Sequence, residues 1–368
     1  MPQSNAAHDM PSSARRRDYS LTGPEAAKAL EKGLVSGQWY QCPISRKRLK
    51  ELMQRRDGPA LRDTALWLAA LAVTGFGGYW FWGSWACVPF FLVYGVLYGT
   101  MSNALWHEMG HGTAFKTRWM NEVVYQVASF MCLFEPHVKR WSHTRHHTDT
   151  IVVGSDPEIV EPRPPSLLRM AMSLVKLPNT CNTLRAVFIH AAGRMDEEEK
   201  TYIPESEWPK VIRTARIWLA IYAAVIGLSL YLQSWLPLMF IGLPSLYGEW
   251  LSYLFGLSQH VGLAEDSLDH RTNCRTIYMN PLLRFVYMNM NYHLEHHMFP
   301  MVPYHALAQL HEEIRSDCPP PYPSLFAAFK EIIPTILKQQ KDPAWFVRRP
   351  VRQAAESVAP AQSQATAS

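Results

Sequence analysis

Charge is almost missing from two long windows of this 368-residue sequence, and those gaps constrain it more than its composition does. From Thr64 to Leu105 there is no Asp, Glu, Lys or Arg, and from Ile217 to His260 Glu249 stands alone. Each window is about twice the roughly 20 residues that cross a bilayer's hydrocarbon core. Each is therefore expected to fold as a hairpin of membrane-spanning helices, about 64–82 with 86–105 and about 217–234 with 237–257. The turns near Gly83-Ser84-Trp85 and Ser234-Trp235-Leu236-Pro237 also lack Lys and Arg, so every basic residue falls on one side. That places both termini and the polar segments in the cytoplasm, in a bacterium under the inner membrane.

Other absences narrow the function. The six cysteines (Cys42, Cys87, Cys132, Cys181, Cys274 and Cys318) form no C-x-x-C pair, which argues for a reducing compartment and against a cysteine-held zinc or iron–sulfur cluster. No apolar run follows Arg15-Arg16-Arg17, so no cleavable signal is expected. A net charge of +5 is too modest to suggest nucleic acid as a partner.

Three regions follow: a cytoplasmic arm at 1–60, mostly disordered with a short helix near Tyr40 to Leu52; a membrane domain at 61–315; and an extension at 316–368 that ends in disorder. The fold class is all-α, four spans under which a helical cap assembles. Val123 to Phe134 is too short to span and is expected at the membrane surface. The charged run Asp196–Lys200 is expected to be a solvated face.

What the chain has in quantity is histidine, in clusters. His107 and His111 close the second span, His143, His146 and His147 lie in WSHTRHHTDT, and His293, His296 and His297 lie in NMNYHLEHHMFP. Helical residues three or four apart share a face, so each cluster can aim its imidazoles at one point. His260, past the fourth span at the depth of His107, is the ninth candidate. His107-Glu108-Met109-Gly110-His111 also spells the H-E-x-x-H of zinc peptidases, with Glu108 as general base. A catalytic zinc needs only three protein ligands, however, and would leave most of the clustered histidines idle. Two higher-coordinate metals would employ all nine, and an all-nitrogen shell with open positions suits iron and O2. A storage or transport protein would want its ligands inside the spans. No catalytic side chain beyond the ligands is expected. Carboxylates should stand behind the rings, the nearest in sequence being Asp149, Asp156 and Glu295. His137, His190, His270, His305 and His311 are isolated and are expected to be surface or packing residues. Glu249, an acid inside a span, is expected to line a substrate passage or bond to a neighbouring helix.

The order H-x-x-x-H, H-x-x-H-H, H-x-x-H-H, with one hydrophobic pair before the first box and another between the second and third, resembles the membrane fatty acid desaturase/hydroxylase superfamily over about residues 60–315. The resemblance implies a mushroom-shaped helical protein of lipid metabolism. It implies a di-iron centre under the bilayer, O2 as oxidant, two external electrons per turnover and desaturation of an acyl chain. RWSHTRHHTDT and NYHLEHHMFPMVPYHAL are further similar to a bacterial branch that includes the rhizopine-catabolism oxygenase and the desaturase of dihydrorhizobitoxine. That branch implies hydroxylation, oxidative demethylation or desaturation of a small polar amine or amino-acid-like substrate. The electrons are expected from a separate protein, an acidic ferredoxin with its reductase, docking on the basic face.

Overall fold

A computed structural model describes residues 17–351; Arg15, Arg16 and the tail from Arg352 onward lie outside the described residues. Helix α1 is Pro24–Glu31, α2 Arg46–Leu52 and α3 Asp57–Trp80. The helical stretch Cys87–Gly110 is α4. Then come α5 (Arg118–Met131), α6 (Pro136–Thr148), α7 (Leu167–Ser173), α8 (Leu177–Ala191) and α9 (Trp208–Tyr231). Three short helices follow, α10 (Leu236–Phe240), α11 (Leu243–Tyr247) and α12 (Trp250–His260). The remainder are α13 (His270–Asn273), α14 (Pro281–Val286), α15 (His293–Met298), α16 (Leu307–Ile314) and α17 (Leu325–Lys341). Among the described residues there is no strand, only isolated bridges pairing Thr276 with Tyr292 and Ile277 with Tyr322.

Among the described residues two helices are long and apolar enough to cross a membrane, Cys87–Gly110 and Glu205–Tyr231. The expected first span is a 24-residue helix, α3, whose first two turns carry Asp57, Arg62 and Asp63. The expected fourth span is not one helix. Pro237 and Pro244 open α10 and α11, and Gly242, at a φ of +98°, separates them, so the chain turns twice before α12 begins. Outward-facing Phe76, Tyr79 and Trp80 on α3 and Leu228, Leu230 and Tyr231 on α9 leave broad apolar surface exposed.

The break answers an irregularity in α4. Leu97–Met101 forms a π-helical turn, which frees backbone groups that a regular helix would pair. Trp67 on α3 donates its indole N–H to the carbonyl of Leu97 (2.9 Å), and Thr100 donates its hydroxyl to the carbonyl of Gly248 (2.7 Å). Gly248 crosses so close to Gly95 that a Cβ there would lie 1.8 Å from the Gly95 carbonyl oxygen. The extra residue of the π turn also rotates the end of α4, which carries His107 and His111.

Below this pair the core is continuous, from Trp67 and Phe115 to Leu307 and Ile314. The arm is not disordered over its described length. Arg17 and Tyr19 bond to Glu265 (3.0 and 2.7 Å), Trp39 to the Thr148 carbonyl (2.8 Å), and Cys42 is buried in the main core. α5 buries Tyr125 and Ala128 against the core and leaves Trp119, Val123 and Val127 exposed, an amphipathic layout. α17 packs Ile332 and Ile336 against Leu257 and Val261 at the end of α12.

Gly248→Ala should lower stability by about 1–3 kcal/mol or more, because a backbone oxygen cannot yield. Gly227→Ala, a helical site with nothing within 4 Å of the added Cβ, should be neutral or stabilising. Thermal unfolding in detergent reads both; equal behaviour would mean the close crossing is dispensable.

Candidate metal centre

All nine candidate histidines converge, and they do so as two groups rather than around one point. His107, His111, His143, His147 and His296 form the first; His146, His260, His293 and His297 form the second. Sequence spacing explains the split. On α6, His143 and His147 are four apart and face one centre. His146, about 100° round the helix from His147, faces the other. On α15, His293 and His297 face one centre and His296 the other in the same way. The expectation that each cluster serves a single point is corrected: every three-histidine box straddles both centres.

The donor spacing is informative. The Nε2 atoms of His111 and His143 are 3.1 Å apart, those of His143 and His147 3.1 Å, and those of His147 and His296 3.2 Å. In the second group His260 and His293 stand 2.9 Å apart and His293 and His297 3.0 Å. With metal–nitrogen bonds of about 2.1 Å, neighbouring donors lie about 3.0 Å apart on an octahedron and about 3.4 Å on a tetrahedron. Both ring nitrogens of His107 are buried without a hydrogen-bond partner, a costly state that a metal bond would relieve. Burial together with the neighbouring rings pushes His147, His293, His296 and His297 well below the usual imidazole range. They are therefore neutral, the form that ligates. The two groups are compatible with metal sites.

A family model for fatty acid desaturase matches residues 83–329, more than half of the chain and the whole of both groups. The chain belongs to the fatty acid desaturase family. It is also 24% identical over 216 residues to the alkane 1-monooxygenase of Ectopseudomonas oleovorans, covering 55% of this chain and 47% of that one. To a probable fatty acid desaturase of Sorghum bicolor it is 27% identical over 247 residues, covering 61% and 63%. The chain thus spans less than two thirds of either relative.

Within this family member the groups behind the rings differ from those the sequence suggested. Asp156 is one of them: its Oδ2 accepts from His146 Nδ1 (2.8 Å) and from the Ile151 amide (2.7 Å). Burial works against a charged His146, but Asp156 outweighs it and raises that imidazole's pKa. Asp149 does not touch a ligand; it accepts from Arg145, Ser155 and the Ser36 amide and so ties the arm to α6. Glu295 lies between His296 and His293 in sequence yet turns away, bonded to His311 (2.5 Å) and Thr276 (2.7 Å), because on a helix the residue beside a ligand points to another side. The missed group is Glu158, which accepts from His143 Nδ1 (2.8 Å) and Ser142 (2.5 Å). Its signal was present: Asp156-Pro157-Glu158 puts two carboxylates on one turn. His260 and His297 use neutral partners, the Asn273 carbonyl (2.7 Å) and the Thr150 hydroxyl (3.1 Å). His270 and Cys274 also approach His297, but the Thr150 bond occupies its Nδ1, so they form no independent site.

Glu108 does not face the cluster as a zinc peptidase's base would; it is fully buried and accepts from Thr113 (2.9 Å) and the Tyr304 amide (3.1 Å). His311 and His270 are buried packing residues, whereas His137 and His305 are half-buried. His190 is more than packing. It is enclosed between Glu135 (2.8 Å) and Glu199 (2.7 Å), and Glu198 accepts from Ser20, so the Asp196–Lys200 run is anchored rather than merely solvated. Burial alone pushes His190 down, but its two carboxylates outweigh that and raise it to about 9.

A cavity of about 400 Å³ abuts both groups, touching His107, His143, His146, His260 and His293. Its other walls carry Lys176, Glu249, Glu161 and Tyr253, and Arg169 lies at its edge. Lys176, held at a φ of +53° between α7 and α8, donates to Glu249 and to the Cys132 carbonyl. Glu249 thus lines a cavity and pairs with a lysine from the loop between α7 and α8.

Glu158→Gln should weaken metal retention about 10- to 100-fold with little change in folding, measured as metal content after graded chelation. Unchanged retention would remove Glu158 from the site. Because the pKa of His190 is raised above its unfolded value of about 6.5, its stabilisation should be complete below that pH. It should be lost as pH rises through about 9. A His190→Gln protein should lack that alkaline fall in melting temperature.

Proposed function

We propose that this protein is an O2-dependent, metal-dependent oxidoreductase that removes hydrogen from an unactivated C–H bond of a small polar substrate. The observation that carries this reading is the cavity, which sets the five metal-facing imidazoles opposite a buried ion pair, Lys176 with Glu249. Two redox metal ions, when bound, supply the activation of O2 and the oxidising power. An all-nitrogen donor set of five and four rings leaves room for oxygen ligands and supports iron.

The side chains do the rest. Asp156 and Glu158 hold the ring protons of His146 and His143 on the far nitrogens, so the near ones face the centres as lone pairs. Tyr253, bonded to Glu161 (2.6 Å), and the Lys176–Glu249 pair offer donors and acceptors to an ammonium or carboxylate. Position then decides the product: the hydrogen held nearest the centre is lost, giving an alkene, an alcohol or loss of a group attached through a heteroatom. An acyl chain would have to lie against a buried ion pair and gain no polar contact from it. Acyl desaturation is the second reading, supported by the family and by Trp106, Phe134 and Tyr287 in the same cavity.

We propose with it that α3, Cys87–Gly110, α9 and the broken segment α10–α12 make four membrane passages with cytoplasmic termini in a bacterial inner membrane, and that an external ferredoxin-type protein is the donor.

The test compares lipids and polar metabolites, by mass spectrometry, from cells expressing the protein with a ferredoxin system and from cells expressing His146→Ala. Fed small amines and amino acids should yield an oxidised product that vanishes with His146→Ala and falls steeply with Lys176→Met. Fatty acids lighter by two hydrogens, unaffected by Lys176→Met, would establish the acyl reading instead.

A further inference from the structure

The second histidine group is buried and meets only the cavity beside His146, His260 and His293, so an electron from a protein donor must cross protein to reach it. Its four rings, His146, His260, His293 and His297, are all buried. One neighbouring ring stands outside the group and leads outward. His270, 3% exposed, lies 5.3 Å from the ring of His297, centroid to centroid. On the other side of His270 the indole of Trp39 stacks at 4.1 Å with an interplanar angle of 4°. Trp39 is half-buried and lines a shallow surface depression with Gln38, Tyr40, Gln41 and Leu268. This buried packing histidine thus lies between a half-buried tryptophan and a metal-facing histidine. The rings step inward from the surface to His297 at centroid spacings of 4.1 and 5.3 Å, and electron tunnelling weakens steeply with every gap that such a chain shortens.

We propose that Trp39 and His270 form the electron entry route to the metal pair, and that the surface around Trp39 is the docking site of an acidic one-electron carrier. This rests on the oxidoreductase reading above. The carrier is a small acidic iron–sulfur protein by class. In each transfer its reduced cluster loses one electron and one metal ion beside His297 gains it; no proton or atom moves. Basic residues stand close by in the chain. The depression is lined by neutral groups that a partner can approach without stripping a charge of water. Seven residues along the chain begins α2, whose Arg46, Lys47 and Lys50 are exposed; chain connectivity keeps Arg46 within about 25 Å of Trp39. Such a flank steers an acidic protein in and makes the encounter salt-sensitive. Cys42, buried in the core, and the Trp39 bond to the Thr148 carbonyl hold this part of the arm in place.

A rival port exists. His111 and His147 of the first group are only half-buried and border a second cavity, of about 270 Å³, lined by Lys139, Arg140 and Met301. The two routes are separable. Iron-loaded protein in detergent is mixed by stopped flow with a reduced acidic ferredoxin, or with dithionite, and reoxidation of the donor is followed. Calorimetry with oxidised ferredoxin and metal-free protein measures docking by itself.

At saturating ferredoxin, Trp39→Leu should slow transfer roughly tenfold or more while leaving dithionite reduction unchanged. Trp39→Phe should restore most of the rate. Lys47→Glu with Lys50→Glu should weaken ferredoxin binding, most of all at low salt. The proposal is overturned by wild-type transfer rates in Trp39→Leu. It is equally overturned if Lys139→Glu with Arg140→Glu abolishes binding while the α2 changes do not, since the port then lies beside His111 and His147. If dithionite leaves the iron of the unaltered protein oxidised, the oxidoreductase reading fails and the route with it. Reduction by dithionite together with an indifferent Trp39→Leu removes the route alone.

Discussion

Nine imidazoles packed into one buried region are the constraint on which the rest of this structure depends. Each ring must be neutral, must aim one lone pair inward and must dispose of one N–H outward, all without water. The surrounding structure can be understood as a set of answers to that demand. Asp156, Glu158, Thr150 and the Asn273 carbonyl take ring N–H groups from four different histidines. Asp149 and Arg145 brace the end of α6, and the arm crosses beneath it to add a bond from Ser36. A region dense in like-acting groups is held together from outside, by polar contacts that reach across the sequence.

The membrane-facing half answers the same demand by irregularity. A straight α4 and an unbroken fourth span would be the simplest reading of two apolar windows. Instead α4 contains a π turn, and the chain opposite it is cut into α10, α11 and α12. The two departures fit each other, since Thr100 inside the π turn bonds to Gly248, and Gly248 crosses directly over Gly95. Together they set the direction in which His107 and His111 leave α4 and in which His260 ends α12. They also place Glu249 next to the cavity, where Lys176 meets it from the loop between α7 and α8. The polar cavity is thus a product of the breaks as much as of the residues that line it.

What the sequence made legible was local. The charge gaps marked apolar helices, though composition could not reveal that proline and glycine would divide the last of them. Spacings of three and four residues marked the histidine faces, yet neighbouring residues on a helix point about 100° apart, which sends His146 and His147 to different centres. The same geometry removed Glu295 from the site and left room for Glu158, a residue that no histidine box contains. His190 looked isolated because its partners, Glu135 and Glu199, come from opposite ends of a long segment.

By itself the sequence determined the helical class, the family and which nine histidines to look for, because residue type and short-range periodicity carry that information. Tertiary structure alone decided the division of those donors into five and four, the carboxylates behind them and the charge of the cavity. It alone brought Trp39 onto His270. These pairings join residues such as Lys176 and Glu249, 73 positions apart. No local pattern records such a distance; only packing of the helices around the histidines brings the partners together.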